Sequence, residues 1–225
     1  MQDIDAFAAI ASTYEGWFTT PLGRFVDQQE LQALARLLSG IDPGAVIDIG
    51  AGTGHMAAWL ARRSHQVTAV EPSSAMRHEG VRRTAGLPIH WCAACAEHLP
   101  FADARFTGAV LFTTLAFVTQ PVQALQEAVR VVRPAGWVTV GVLHALSPWV
   151  ALYRSRADHG AMPWVAARFF TPEDVEGFIG AAATSSTEAV YLAPQASAPF
   201  AEADGAGKRA GNQPALAILQ WRKSA

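Results

Sequence analysis

Cysteine and lysine are both scarce in this chain of 225 residues, which has two of each, Cys92 and Cys95, Lys208 and Lys223. Two cysteines are too few to staple a small secreted domain, and one Cys-x-x-Cys pair lacks the four ligands that a structural zinc site needs. Residues 1–5 are acidic and do not show the basic-then-apolar pattern of a secretory signal. The sequence therefore predicts a cytoplasmic protein without a bound metal.

Charged residues are also few. They make up 16% of the chain, and the formal net charge is −2. A nucleic-acid-binding surface needs a basic excess, which this composition lacks. We therefore expect no nucleic-acid partner and favour a small-molecule ligand.

Two long stretches without charge, residues 107–126 and 134–153, have the length of a membrane span. The first contains four threonines and three glutamines, and the second contains His144 and Pro148. Each begins with β-branched residues, which favours a buried strand followed by a loop and a helix. We expect no membrane span.

Short apolar runs alternate with helical periodicity along most of the chain. The predicted strands are residues 45–49, 66–70, 89–93, 108–112 and 137–143, and the predicted helices are residues 27–38, 55–64, 73–85 and 121–131. This alternation predicts a doubly wound α/β domain around a parallel sheet. Two further strand candidates, 188–192 and 215–221, flank a long Ala-, Pro- and Gly-rich segment that we expect to be a loop, 193–213. No second core is visible, so residues 1–225 are interpreted as one domain.

A glycine-rich turn at residues 50–54 joins the first predicted strand to the next helix. Glu71 ends the following strand, where a carboxylate can accept both hydroxyls of a ribose. The spacing is G-x-G-x-G, and the third glycine of the dinucleotide fingerprint is replaced by His55. An NAD(P)-dependent oxidoreductase therefore stays an alternative, but a weaker one.

Four spaced motifs are similar to those of class I S-adenosylmethionine (SAM)-dependent methyltransferases of the ubiquinone/menaquinone type. They are VIDIGAGTG at 46–54, VEP at 70–72, AEHLPF at 96–101 and RVVRPAG at 130–136. The resemblance implies a Rossmann-like, mostly parallel sheet of seven strands with a C-terminal antiparallel strand. It also implies an N-terminal helical lid (1–40), a SAM-binding core (41–143) and acceptor-side elements with a final hairpin (144–225).

The resemblance further implies a cofactor site for SAM. Its expected residues are Tyr14, Arg24, Asp48, Gly50, Ala51, Gly52, Glu71, Pro72, Met76, Ala96, Glu97 and Thr113. Two positions depart from the family, because Cys95 and Thr107 stand where aspartates are usual. The loss of an acceptor at Cys95 would weaken one hydrogen bond to the adenine. Cys95 and Thr107 together give weight to a non-catalytic SAM-binding or scaffold protein as an alternative.

The expected activity is methyl transfer to an O, N, S or C atom of a small molecule by in-line displacement. Phe112, Phe117, Trp149 and Tyr153 are predicted to form the acceptor pocket, and His144, just after the fifth strand, is the candidate general base. Such a reaction depends mainly on positioning, so no fixed catalytic constellation is needed. A monomer or a homodimer fits the sequence equally well.

Overall fold

A seven-stranded sheet forms the centre of the computed structural model, which describes residues 7–224. The strands are β1 (Ala45–Ile49), β2 (Gln66–Val70), β3 (Ile89–Cys92), β4 (Phe106–Phe112), β5 (Val132–Leu143), β6 (Ser185–Ala189) and β7 (Leu216–Arg222). Their order in the sheet is β3-β2-β1-β4-β5-β7-β6. Strands β1 to β5 pair in parallel, whereas β7 is antiparallel to both β5 and β6. The predicted doubly wound sheet with its antiparallel C-terminal strand is confirmed.

Eight α-helices connect these strands within the described residues. They are α1 (Gly16–Thr19), α2 (Pro21–Leu37), α3 (His55–Ala61), α4 (Ser74–Arg83), α5 (Pro121–Val131), α6 (Pro148–Asp158), α7 (Pro172–Ile179) and α8 (Phe200–Arg209). None of the helices between residues 7 and 224 is long and apolar enough to cross a membrane.

Both faces of the sheet are covered by apolar side chains. On one face Val46 lies in a cluster with Leu34 of α2 and Leu60 of α3. On the other face the next residue of the strand, Ile47, lies in a cluster with Leu125 of α5. Successive side chains of a strand point to opposite faces, so a strand buried on both sides has a continuous apolar sequence. The topology reverses between β1 and β4, where α/β sheets commonly bind their ligands.

Several element boundaries differ from the prediction. Helix α2 begins at Pro21, six residues before the predicted start at Asp27, because the Thr20 hydroxyl accepts the N–H of Gly23 and caps the helix. Strand β5 begins at Val132 instead of Trp137. The segment 193–213 is not a continuous loop, since it contains α8. That prediction was wrong.

Candidate functional site

The glycine-rich turn follows β1 at the edge where the parallel strands end. Gly50, Gly52 and Gly54 have φ values of +75°, +54° and +80°, a region that L side chains rarely adopt. The N–H groups of Gly50 and Ala51 both donate to the carbonyl of Val70, at 2.8 and 2.9 Å. The turn is therefore fastened to β2 and presents a surface with almost no side chains.

Glu71 connects that turn to the start of α4. Its Oε2 accepts the N–H of Gly52 at 2.8 Å, and its Oε1 accepts the N–H of Ser73 at 2.9 Å. Only 7% of the residue is exposed. A carboxylate can accept hydrogen bonds through both oxygens, which makes Glu71 a suitable acceptor for hydroxyl donors of a ligand.

Asp48 is buried beneath the turn, with an exposed fraction of 1%. Within residues 7–224 its Oδ2 has no hydrogen-bond partner. Burial, with a smaller contribution from the negative charge of Glu71, raises the pKa of Asp48 from 3.8 to about 7. The unpartnered Oδ2 beside the glycine turn can accept a hydrogen bond from a cationic group of a ligand.

A cavity of about 670 Å³ opens above the turn and Glu71. Its walls on the side of β2 and β3 come from consecutive chain segments: Glu71, Pro72, Ser73, Met76, Cys95, Ala96 and Glu97. We call this the first cavity. Its volume lies in the range of sites for drug-sized ligands.

A second cavity of about 470 Å³ adjoins the first. Seven residues line both: Phe7, Tyr14, Gly50, Gly52, Phe112, Thr113 and Phe117. The second cavity extends from this shared wall toward α2 and α6, where Trp149 and Tyr153 border it. Two ligands can therefore meet at the shared wall.

The N-terminal segment covers the glycine turn. The Glu15 carboxylate accepts a hydrogen bond from the Thr53 hydroxyl through Oε1, and its Oε2 lies 2.6 Å from Arg83 Nη2. Phe18 stacks on the imidazole of His55, with ring centroids 4.3 Å apart. Residues 1–6 of the predicted lid lie outside the described residues, and the lid itself stays a prediction.

Most of the predicted cofactor residues border one of the two cavities. Thr113 and Tyr14 border both, whereas Arg24 borders neither and is exposed on α2. Glu97 Oε1 also accepts the N–H of Thr119 at 2.8 Å, so it supports the start of α5. All four residues predicted for the acceptor pocket line the second cavity: Phe112, Phe117, Trp149 and Tyr153.

His144, the predicted base, lies apart from both cavities. It is 6% exposed, and its Nδ1 accepts the N–H of Leu146 at 3.2 Å. The role of His144 stays a prediction, although this placement does not favour it.

The two departures from the family pattern have different surroundings. Thr107 Oγ1 donates to the carbonyl of Ala45 at 2.8 Å and thus joins β4 to β1. Cys95 is exposed and lines the first cavity beside Ala96. Thr107 has a structural role, whereas Cys95 lies where a ligand would contact it.

The sequence reasoning missed several lining residues of these cavities. Among them are Ser73 in the first cavity and Glu30 in the second. Glu30 follows Val26 by four residues and precedes Leu34 by four, and both neighbours are buried. This helical spacing was the available signal, since it puts a carboxylate on the inward face of α2.

Comparison with known proteins agrees with this geometry. Residues 47–140 match the model of a family described as "Methyltransferase domain". The crystal structure of a SAM-dependent methyltransferase of Thermotoga maritima, described as a possible histamine N-methyltransferase, superposes with a TM-score of 0.76 at 25% identity. That match covers 97% of this chain and 99% of the other.

Curated relatives also match by sequence, and two of them show how much of the chain is covered. An uncharacterized protein of Mycobacterium tuberculosis is 31% identical over 166 residues, which are 74% of this chain and 55% of that protein. A ubiquinone/menaquinone biosynthesis C-methyltransferase of Desulfotalea psychrophila is 40% identical over 100 residues, 42% of this chain and 40% of that enzyme. The chain thus spans about half the length of the curated relatives that it matches.

The fold is that of the class I methyltransferases. Residues 47–140 match the methyltransferase domain family, and the resemblance to SAM-dependent methyltransferases of the ubiquinone/menaquinone type is confirmed.

Proposed function

We propose that this protein transfers the methyl group of SAM to a nucleophilic atom of a small molecule. The observation that carries the proposal is the pair of adjoining cavities with a shared wall at Gly50, Gly52 and Thr113. One cavity suits a methyl donor and the other an acceptor, and only at the shared wall can the two ligands make contact.

The residues of the first cavity fit SAM. The Glu71 carboxylate is held by two backbone N–H groups and lines the first cavity, where it would accept the ribose hydroxyls. Pro72 and Met76 offer apolar surface for the adenine. In the adjoining second cavity, the unpartnered Oδ2 of Asp48 lies beside the turn, where it can accept a hydrogen bond from the cationic methionine part of the ligand, and that cation would stabilise the ionised form of Asp48.

SAM, when bound, supplies a methyl group that its sulfonium charge activates toward nucleophiles. The chain then contributes by positioning the two ligands and by removing water from the place where they meet. Tyr14, Phe112 and Phe117 surround the shared wall with aromatic surface and exclude water from it. The shared wall lies between the two cavities, and this arrangement favours an in-line approach of the acceptor atom.

The experiment that tests the proposal is a calorimetric titration with S-adenosylhomocysteine (SAH), with NADH in parallel. We expect micromolar binding of SAH and no binding of NADH. The converse result would support the oxidoreductase alternative, and binding of neither would contradict a nucleotide site in the first cavity.

Turnover is tested separately by incubating the protein with SAM and a mixture of amines, phenols, thiols and carbon acids. Methylated product, detected by mass, supports transfer. SAH binding without any product would instead favour the non-catalytic SAM-binding protein, for which the substitution of the usual aspartate by Cys95 is the specific observation.

A further inference from the structure

An acidic side chain without a partner lies in the wall of the second cavity. Glu30, on the third turn of α2, borders this cavity and is half-buried. In the described part of the chain its carboxylate has no hydrogen bond and no ion pair. A carboxyl group removed from water without a compensating donor is costly, so a site that retains one is suited to a ligand that supplies the donor.

The neighbouring charges do not satisfy Glu30. Asp27, one turn earlier on α2, is paired with His55, whose Nε2 lies 2.7 Å from Asp27 Oδ1. Asp48 and Arg156 also line the second cavity; Arg156 is exposed on α6, and the described residues show no ion pair between it and Glu30. Tyr14 and Tyr153 are the remaining titratable groups near Glu30, and burial raises the pKa of both phenols.

Aromatic side chains also line part of this wall. Tyr153 and Trp164 stack at 3.8 Å with an interplanar angle of 4°, and Trp17 meets Trp149 edge to face at 6.0 Å. The Trp149 indole is fixed, because its Nε1 donates to the carbonyl of Leu192 at 2.8 Å. Aromatic faces attract cations and also stack on flat apolar groups.

We propose that the second cavity binds a small arylalkyl amine as its cation, with Glu30 accepting hydrogen bonds from the ammonium group and the aromatic wall enclosing the ring. This inference rests on the proposed function in one respect, since it makes a nitrogen the methyl acceptor. The recognition itself requires only the second cavity. No neutral or anionic ligand gives Glu30 a charge partner.

The protonation of Glu30 fits this role. Burial, followed by the nearby charge of Asp27, raises the pKa of Glu30 from 4.5 to about 8, so the carboxyl holds its proton in the free protein near neutral pH. A bound ammonium group stabilises the carboxylate, and the Glu30 proton then passes to solvent. The carboxylate can subsequently accept one proton from the ammonium nitrogen and leave the lone pair that a nucleophile needs.

Three probes that share an indole ring and differ in charge test the proposal: tryptamine (cationic), tryptophol (neutral) and indole-3-acetate (anionic). Each is titrated calorimetrically near pH 7 into the protein saturated with SAH, in buffers of different ionisation enthalpy. We expect tryptamine to bind about tenfold or more tightly than tryptophol. Its binding should release about one proton per site.

The variant Glu30→Gln retains the size of the side chain and removes its charge. We expect it to bind tryptamine no more tightly than tryptophol, to lose the proton release and to keep the SAH affinity. The matched control is Glu202→Gln, on the exposed start of α8 and outside both cavities, which should behave as the unmodified protein.

The proposal is overturned if none of the probes binds, if tryptophol or indole-3-acetate binds as tightly as tryptamine, or if the preference for tryptamine persists in Glu30→Gln. If the variant fails to fold, the relative affinities of the three probes for the unmodified protein still test the proposal. Preference for tryptamine without any binding of SAH would refute the proposed function and would still support the amine site in the second cavity.

Discussion

The carboxylate of Glu71 accepts the N–H of Gly52 at 2.8 Å, so the side chain at the end of β2 holds the turn that follows β1. The same carboxylate also accepts the N–H of Ser73. Glu71, which we assign to ligand binding, therefore also stabilises the conformation of the glycine turn. Its substitution changes both the binding surface and the shape of the turn.

Glu71→Gln should weaken SAH binding by about tenfold or more, because an amide has one acceptor oxygen where the carboxylate has two and carries no charge. Titration calorimetry measures the change. Glu79→Gln on the outer face of α4, where Glu79 pairs with Arg82, is the control and should leave the affinity unaltered. Unchanged binding in Glu71→Gln would contradict the placement of the ribose.

Asp48 should make stability depend on pH. Its pKa is raised from 3.8 to about 7 in the folded protein, so the folded state holds a proton that the unfolded chain has already lost between these values. The free energy of unfolding should therefore decrease as the pH rises from about 4 to about 7 and level off above that range.

Asp48→Asn removes this dependence, and its stability relative to the unmodified protein should rise by roughly 2–4 kcal/mol across the same interval. Urea denaturation at several pH values provides the comparison. If the free energies of unfolding of the two proteins changed with pH in parallel, the pKa of Asp48 would not be raised by folding.

Glu15 holds the N-terminal segment against the glycine turn through Thr53 and Arg83. In Glu15→Gln both charge-assisted contacts weaken, so amide hydrogen exchange of residues 13–19 should accelerate by about tenfold. Exchange in the sheet should stay as it was. Equal protection of this segment in both proteins would mean that other contacts hold it.

Gly80 lies on the face of α4 that packs on Trp91, where an added Cβ would come within 2.2 Å of the indole ring. Gly80→Ala should therefore destabilise the protein by about 1–3 kcal/mol, as measured by thermal or urea unfolding. Gly177 of α7 has no atom within 4 Å of the corresponding position, and Gly177→Ala should instead stabilise by about 0.5–1 kcal/mol. Opposite signs of the two changes in stability would distinguish the effect of side-chain packing at Gly80 from that of helix propensity at Gly177.

The parallel part of the sheet was predictable because most of its strands have short apolar sequences. The polar strand β6 (Ser185–Ala189) was instead predicted three residues too late, at 188–192. Helix α5 was predicted with both of its ends, since Pro121 marks the start and the apolar spacing is regular. Helix α8 was missed, because its glycines and the flanking prolines are typical of a loop. It forms where Phe200 packs on Phe25 and where Asp204 accepts the N–H of Tyr191, contacts between distant parts of the chain.

The two cavities of the candidate site also differ in how far the sequence predicts their residues. The first cavity is built from short motifs, each of which places its own residues, so Glu71 and Ala96 were predictable. The second cavity is assembled from segments far apart in sequence, and its chemistry depends on which of them meet. Glu30 can take part in ligand binding only because α2 borders the same cavity as Tyr153.

Tyr14 borders both cavities, and the adjacent Glu15 holds the same segment in place. A ligand in either cavity therefore contacts the same stretch of chain, and any shift of this segment that one ligand causes changes the surface that the other ligand meets. The two affinities are then thermodynamically coupled, and the coupling is reciprocal, so each ligand changes the affinity for the other by the same factor.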